Sequence, residues 1–135
     1  MAISNPLVLV VDDETNLCNV LRRILEREGY RVLTAKDGET ALQIIKHKEP
    51  DVILLDLMMP GIDGREVCWR VREFCPQTRI IYFTAKTELT GPLNEKELYS
   101  DADAFIAKPA TSKRILATVD SILNSRREQD ESFID

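Results

Sequence analysis

Five short apolar runs, set between segments with helical spacing, limit the folds open to this chain more than any other feature of its sequence. The runs contain no regular polar alternation, which is typical of strands covered on both faces, as in a parallel sheet. Three of the runs are continuous and two are weaker. In chain order they are Leu7–Val11, Tyr30–Ala35, Val52–Leu55, Ile80–Phe83 and Ala104–Ala107.

Four of the other segments place apolar residues three or four positions apart, which predicts amphipathic helices. The first three end near Gly29, Pro50 and Pro76, which are helix stop signals, and Thr111 or Ser112 is the predicted N-cap of the last helix. The apolar stripes are Leu17, Val20, Leu21, Ile24 and Leu25; Ala41, Leu42, Ile44 and Ile45; Val67, Val71 and Phe74; and Ile115, Leu116, Val119, Ile122 and Leu123.

A fifth helix is predicted in the least regular part of the chain, between Thr84 and Asp103. Gly91-Pro92 interrupts this segment, and the pattern favours a short helix over 92–99 with Pro92 in its first turn. Strands that alternate with helices predict an α/β fold with a parallel sheet and right-handed crossovers. Five such pairs predict a doubly wound, five-stranded sheet of order 2-1-3-4-5 with five helices, the flavodoxin-like arrangement.

Length and charge indicate one domain without a nucleic-acid or membrane surface. The 135 residues suit a single domain, which we place at 1–124, with 125–135 as a polar C-terminal tail or the start of a linker. A net charge of −5 argues against direct nucleic-acid binding and against a basic membrane patch. Because no apolar run approaches the roughly 20 residues of a membrane span and the start lacks a secretory pattern, we expect a cytoplasmic protein.

The three cysteines make a poor zinc site. Cys18, Cys68 and Cys75 show no C-x-x-C spacing, and the single histidine, His47, lies between lysines on a predicted helix. We expect reduced thiols on or near helix faces.

Polar residues follow four of the five predicted strands. Asp12 and Asp13 follow the first strand, Asp56 the third, Thr84 the fourth and Lys108 the fifth. In a doubly wound sheet, ligands bind at the carboxyl ends of the strands, where the strand order reverses. Because strands 1 and 3 are predicted neighbours, the three carboxylates should converge at one edge.

The residue types at this edge suit phosphoryl chemistry. Two carboxylates ~4 Å apart repel by about 4 kcal/mol at an effective dielectric constant of ~20. A hard divalent cation relieves this repulsion, and oxygen ligands favour Mg²⁺ or Mn²⁺ over zinc. Asp56 could then act as a nucleophile and become an acyl phosphate. Lys108 would pair with a phosphoryl oxygen, and the Thr84 hydroxyl would donate to another.

These residues together resemble the receiver domain of two-component response regulators. The matching pieces occur in order, each at a predicted strand end, and the resemblance covers about 7–124. The pieces are Val10-Val11-Asp12-Asp13-Glu14, the turn-rich segment Asp56-Leu57-Met58-Met59-Pro60-Gly61-Ile62-Asp63-Gly64, Thr84-Ala85 and Lys108-Pro109.

The resemblance implies roles for the acidic residues. Metal binding falls to Asp12, Asp13, Asp56 and the main-chain carbonyl of Met58, with Mg²⁺ as the expected ion and Mn²⁺ as the alternative. Asp56 is the implied phosphoacceptor, and Lys108 is the implied cationic partner of the phosphoryl group.

The resemblance also implies a switch. Thr84 would bind the phosphoryl group, and Phe105 matches the aromatic switch position of the family. The Lys108-Pro109 bond resembles the cis peptide of the family, and cis bonds are tolerated before proline. The segment from Thr84 to Lys108 is longer than is usual in the family, and Asp101 stands where a glycine is common.

Implied function follows from these roles. A histidine kinase or histidine phosphotransfer protein would phosphorylate Asp56, and the domain would signal through the surface of helix 4, strand 5 and helix 5. It would catalyse only its own phosphorylation and dephosphorylation, and so would not be an enzyme with a separate product. The downstream target or output domain is open, as is a homodimer that forms on phosphorylation.

Two alternatives belong to other functional classes. The first is a degenerate receiver that acts as a phosphorylation-independent binding module, although this chain keeps the acceptor, its acidic partners and the lysine. The second is an aspartyl-phosphate-type phosphatase, which would need a second acid/base aspartate where this chain has Met58.

Overall fold

The five apolar runs form the five strands of one parallel sheet. The computed structural model describes residues 5–85 and 101–132 of the chain. The strand order is β2-β1-β3-β4-β5, and each neighbouring pair is parallel. Bounds along the chain are β1 Leu7–Val11, α1 Thr15–Arg27, β2 Arg31–Ala35, α2 Gly38–Lys48, β3 Val52–Leu55, α3 Gly64–Phe74, β4 Arg79–Ala85, β5 Ala104–Lys108 and α4 Ser112–Ser132.

This architecture confirms the predicted doubly wound α/β fold and its strand order. Four of the five predicted helices lie within the described residues. The fifth, over 92–99, falls outside them. In our numbering, α4 is therefore the helix that the sequence predicted as helix 5.

Side chains of the strands point alternately into two apolar cores, one on each face of the sheet. In β1, Leu9 and Val11 enter the core covered by α2 and α3. Val8 and Val10 enter the core covered by α1 and α4. Because both faces are covered, every residue of β1 and β3 is buried.

Polar side chains cap three of the helices at their starts. The carboxylate of Asp37 accepts from the Thr40 N–H at the start of α2, and that of Asp63 accepts from the Glu66 N–H at the start of α3. The hydroxyl of Thr111 accepts from a backbone N–H at the start of α4. Thr111 is one of the two residues that the sequence offered as the N-cap of this helix. These acceptors satisfy N–H groups that have no partner within the helix.

Several predicted boundaries need correction. Thr84 lies inside β4 and Lys108 is the last residue of β5, whereas the sequence placed both directly after their strands. Parallel pairing extends these strands, since Thr84 is paired with Ala107. The backbone of α4 continues to Ser132, so much of 125–135 is helical. The domain boundary at 124 stays a prediction.

On α1 the predicted stripe also needs correction. Val20 is 49% exposed, whereas Cys18 is buried with Leu21 and Leu25. These three residues are spaced by three and four positions, so they share one helix face. Among the described helices, none is long and apolar enough to cross a membrane.

Candidate functional site

Neighbouring strands place Asp12 and Asp56 side by side at the carboxyl edge of the sheet. Val11 at the end of β1 is paired with Leu55 at the end of β3. Asp12 directly follows Val11 and Asp56 directly follows Leu55, so the two aspartates are level with each other. The backbone N–H of Asp56 donates to the Val11 carbonyl at 3.0 Å. Sheet hydrogen bonding therefore fixes where the two carboxylates emerge.

The three predicted acidic residues do come together. Asp12, Asp13 and Asp56 each offer a carboxylate oxygen, and these oxygens lie within 4.8 Å of one another. Asp12 and Asp56 are only 2% and 5% exposed, whereas Asp13 is exposed. The cluster is thus half open to solvent, through Asp13, and half enclosed by the sheet.

Lys108, the last residue of β5, reaches the cluster across the end of β4, which lies between β5 and β3. Its Nζ lies 2.7 Å from Oδ2 of Asp12 and 3.6 Å from Oδ2 of Asp56. Burial alone would lower the pKa of Lys108, but the hydrogen bond to Asp12 and the charge of Asp56 raise it above its ordinary value. The ammonium group therefore stays charged across the neutral range.

The pKa of Asp56 is set by opposing effects of burial and of neighbouring charges. Burial raises the pKa of its carboxyl above the ordinary value, Lys108 lowers it, and Asp12 raises it again. Hydrogen bonds from the Met58 backbone and the Thr84 side chain oppose the rise in pKa. The net effect is a raised pKa, so the ionised form of the carboxyl is less favourable here than in water.

The loop after Asp56 is shaped by a close contact with the start of α3. A Cβ atom added to Gly64 would lie 2.4 Å from the Asp56 carbonyl oxygen and 2.8 Å from the Cα of Leu57. The Gly64 N–H donates to the Leu57 carbonyl at 3.1 Å. Sequence patterns marked Gly64 as a turn residue, but they gave no sign that it contacts the backbone of Asp56.

Met58 lies at the mouth of this loop. Its backbone N–H donates to Oδ1 of Asp56 at 3.2 Å, and the residue is 57% exposed. The predicted role of its carbonyl in metal binding stays a prediction.

The two predicted switch residues share one face of the sheet. Thr84 is completely buried, and Phe105 is 6% exposed. Thr84 is paired with Ala107 and Phe105 with Tyr82 across β4 and β5, so Thr84 and Phe105 lie on a diagonal of the same face. The Lys108-Pro109 peptide bond is cis. Whether Phe105 acts as a switch stays a prediction.

The donor set of the cluster fits a hard divalent cation. All three side chains offer oxygen, and among the described residues the ammonium group of Lys108 pairs with two of the three carboxylates, those of Asp12 and Asp56. Oxygen-rich, solvent-accessible sites of this kind suit Mg²⁺ or Mn²⁺. Among the described residues, no other group of three metal-ligating side chains has this closeness.

Comparison with known proteins decides the family. The family model described as the response regulator receiver domain matches residues 8–120, which is most of the chain. The chain belongs to the response regulator receiver domain family. Receiver domains of this family act in two-component signalling, as the resemblance implied.

Individual relatives agree with this assignment. The receiver domain is 41% identical over 119 residues to the alkaline phosphatase synthesis transcriptional regulatory protein PhoP of Bacillus subtilis (strain 168), covering 88% of this chain and 49% of that protein. The chain thus spans about half the length of this relative.

Solved structures give the same result. TrrA of Thermotoga maritima, solved in complex with Mg²⁺-BeF, is 33% identical with a TM-score of 0.77, and the match covers 87% of this chain and 99% of that one. A CheY-like receiver domain protein of Methanospirillum hungatei JF-1 is 26% identical with a TM-score of 0.82, covering 93% and 99% of the two chains.

A polar cluster that sequence reasoning missed joins α3 of the receiver domain to the residues before β5. Arg65 pairs with Asp101 at 2.7 Å, and Arg72 pairs with Asp103 at 3.0 Å. The thiol of Cys68 donates to the Asp101 carbonyl at 3.2 Å. Asp101, which departs from the usual glycine, is therefore half-buried and paired.

Proposed function

We propose that this receiver domain is a phosphorylation-activated switch in which Asp56 accepts a phosphoryl group from a histidine kinase or a histidine phosphotransfer protein. The observation that carries the proposal is the acidic cluster of Asp12, Asp13 and Asp56, in which Asp12 and Asp56 contact the ammonium group of Lys108. The structure of TrrA supports it, because that related domain was solved with Mg²⁺-BeF.

Asp12, Asp13, Asp56 and the Met58 carbonyl would hold Mg²⁺, with Mn²⁺ as a substitute. When bound, the cation neutralises carboxylates and lowers the charge on a transferring phosphoryl group. The mutual repulsion of the three closely spaced carboxylates is the reason that the domain would need this cation.

In the transfer step, a carboxylate oxygen of Asp56 attacks phosphorus as the bond to the donor imidazole nitrogen breaks, and Asp56 becomes an acyl phosphate. Lys108, which already contacts both buried carboxylates, would pair with a phosphoryl oxygen. Water attack on the acyl phosphate would return Asp56 to its free form. The domain would therefore catalyse only its own phosphorylation and dephosphorylation.

The switch would follow from the added charge. A phosphoryl group adds roughly −1.5 to −2 charges near neutral pH, and the Thr84 hydroxyl would turn to donate to it. Phe105 lies on the same face of the sheet and would shift into the space that Thr84 leaves. This would change the surface formed by predicted helix 4, β5 and α4, through which the domain would signal.

Such a switch needs a large difference in stability between its two forms. Moving a two-state equilibrium from 1:99 to 99:1 takes about 5.5 kcal/mol of differential stabilisation. Contacts from Lys108 and Thr84 to one phosphoryl group would have to supply this difference. Because a smaller difference is enough when the active form is already partly populated, we include such a population before phosphorylation in the proposed switch.

Incubation with acetyl phosphate and Mg²⁺, followed by intact-protein mass spectrometry, tests the proposal. We expect wild type and Asp63→Asn to gain one phosphoryl group. We expect no gain for Asp56→Asn or for wild type with excess EDTA. Asp63 is the matched control because it lies in the same loop and caps α3. A folded wild type that binds Mg²⁺ and gains no phosphoryl group would instead favour a phosphorylation-independent binding module.

A further inference from the structure

Cys18 is a buried thiol directly behind the acidic cluster. It lies on α1, is 4% exposed, and its Sγ is 3.3 Å from the carbonyl oxygen of Asp12. That oxygen belongs to the peptide unit that joins Asp12 to Asp13. A cysteine thiol is a weak donor and a carbonyl is a good acceptor, so the contact is a hydrogen bond from helix to strand end.

The position of this peptide unit controls two of the three carboxylates. A peptide group is planar, so its orientation sets the directions in which the Cα atoms of Asp12 and Asp13 carry their side chains. The other polar atoms of Asp12 are also held: its N–H donates to the Ala35 carbonyl at 3.0 Å, and its Oδ1 accepts from the Glu14 N–H at 2.9 Å.

The side chain of the N-cap residue does not hold the start of α1 in place. Glu14, the N-cap residue of α1, makes no side-chain cap hydrogen bond. The turn between β1 and α1 is held instead by the Asp12 carboxylate, which accepts from Glu14, and by the Cys18 thiol, which returns to the Asp12 carbonyl from the first turn of the helix.

We propose that Cys18 is a positioning residue of the cation site, and that its thiol fixes the Asp12-Asp13 peptide so that both carboxylates face the same ion. This inference rests on the proposed function, because it concerns the Mg²⁺ site. Groups that orient metal ligands typically change metal affinity by about 10- to 100-fold. Because a thiol is a weak donor, we expect about 3- to 10-fold for Cys18.

The chain offers a matched control in Cys68. This thiol is also buried, at 0% exposure, and also donates to a backbone carbonyl, that of Asp101 at 3.2 Å. It lies on α3 and its carbonyl partner is not a predicted metal ligand. Loss of Cys68 should therefore disturb packing to a similar degree and leave cation binding alone.

Calorimetric titration of the metal-free protein with Mg²⁺ tests the inference without any phosphoryl donor. We expect Cys18→Ala to weaken binding about 3- to 10-fold. We expect Cys18→Ser, which keeps a donor, to bind within about twofold of wild type, and Cys68→Ala to bind as wild type does. Cys18→Val, which fills the space without a donor, replaces the alanine variant if that variant does not fold.

A second readout separates positioning from packing. Mg²⁺ raises the free energy of unfolding by an amount set by its affinity. In urea denaturation, both alanine variants should be less stable than wild type without metal. The increase in stability on adding Mg²⁺ should be smaller for Cys18→Ala and unchanged for Cys68→Ala.

Equal affinity of Cys18→Ala and wild type would overturn the inference, as would an equal loss in Cys68→Ala. Either result would make Cys18 a packing residue and would leave the proposed phosphorylation intact. Absence of Mg²⁺ binding in folded wild type would overturn the inference together with the metal site, so the two failures are distinguishable.

Discussion

At the scale of single residues, the site holds three carboxylates close together, two of them buried. Asp56 is 5% exposed, and burial raises the pKa of its carboxyl. A carboxyl whose pKa is raised by folding stabilises the fold below its unfolded pKa, and this contribution is lost as the pH rises through the folded pKa. At neutral pH the metal-free protein therefore has an unfavourable charge at Asp56.

The first prediction concerns this charge. In EDTA at pH 7, Asp56→Asn should raise the free energy of unfolding, because asparagine places no charge in the buried position where folding raises the pKa of Asp56. The gain over wild type should shrink as the pH falls through the folded pKa of Asp56. Urea denaturation measures both effects. Asp63→Asn, which changes an exposed carboxyl, should give no gain, and a loss of stability in Asp56→Asn would contradict the electrostatic account.

The second prediction separates the two proposed roles of charge at Lys108. Lys108→Met should lower the rate of phosphorylation by acetyl phosphate by about 10²-fold, since a preformed cation at the transferring group is lost. Mg²⁺ affinity should not fall, because Lys108 competes with the ion for Asp12 and Asp56. Stopped-flow kinetics and calorimetry measure the two quantities.

Lys113→Met serves as its control. Lys113 is exposed on α4, and this variant should match wild type in both measurements. A parallel loss of Mg²⁺ affinity in Lys108→Met would show that the lysine holds the cluster together and does not compete with the cation.

At the scale of elements, local patterns predicted the strands and most helix ends. Continuous apolar runs identify strands buried on both faces, and glycine or proline stop signals identify the ends of α1, α2 and α3. The face of α1 was predicted less well, because Cys18 counts as neither strongly polar nor strongly apolar. The spacing of apolar residues placed Val20 in the predicted buried stripe and left Cys18 out. The structure buries Cys18 and exposes Val20.

The third prediction concerns the joint between β3 and α3. Gly64→Ala should lower stability by about 1–3 kcal/mol, as overpacking does, because its Cβ would lie 2.4 Å from the Asp56 carbonyl oxygen. It should also lower the rate of phosphorylation, since the backbone that carries Asp56 must move. Denaturation and phosphorylation kinetics measure the two effects.

Gly61→Ala is the matched control in the same loop. Gly61 has a φ of +79° with open space around it, so alanine there meets only backbone strain of about 1–2 kcal/mol. We expect this variant to be phosphorylated near the wild-type rate. If Gly64→Ala were also phosphorylated at that rate, the contact would not position the acceptor.

At the scale of the whole molecule, topology explains why the site could be predicted from sequence. Once the strand order is 2-1-3-4-5, the ends of β1 and β3 are neighbours, so Asp12 and Asp56 must meet. The ion pairs between α3 and the residues before β5 could not be predicted. Arg65 and Asp101 are 36 positions apart, and no local pattern relates them.

The fourth prediction tests this long-range cluster. Asp103 accepts from the Ile80 N–H at 2.8 Å and pairs with Arg72 and Arg79. Asp103→Ala should lower stability by about 2 kcal/mol, since it leaves a partly buried N–H and two cations without this acceptor. Glu66→Ala, which breaks an exposed pair within α3, should lose less than about 0.5 kcal/mol. Equal losses in urea denaturation would mean that Asp103 is no more than a surface charge.

The identity of the phosphoacceptor is the central claim, and borohydride trapping tests it most directly. Borohydride reduces an acyl phosphate to an alcohol, so the accepting aspartate becomes homoserine, which peptide mass spectrometry locates. After acetyl phosphate and Mg²⁺, we predict homoserine at position 56 in wild type and none at 12, 13 or 63. Homoserine at another position, or none in protein that has gained a phosphoryl group, would contradict the assignment of Asp56.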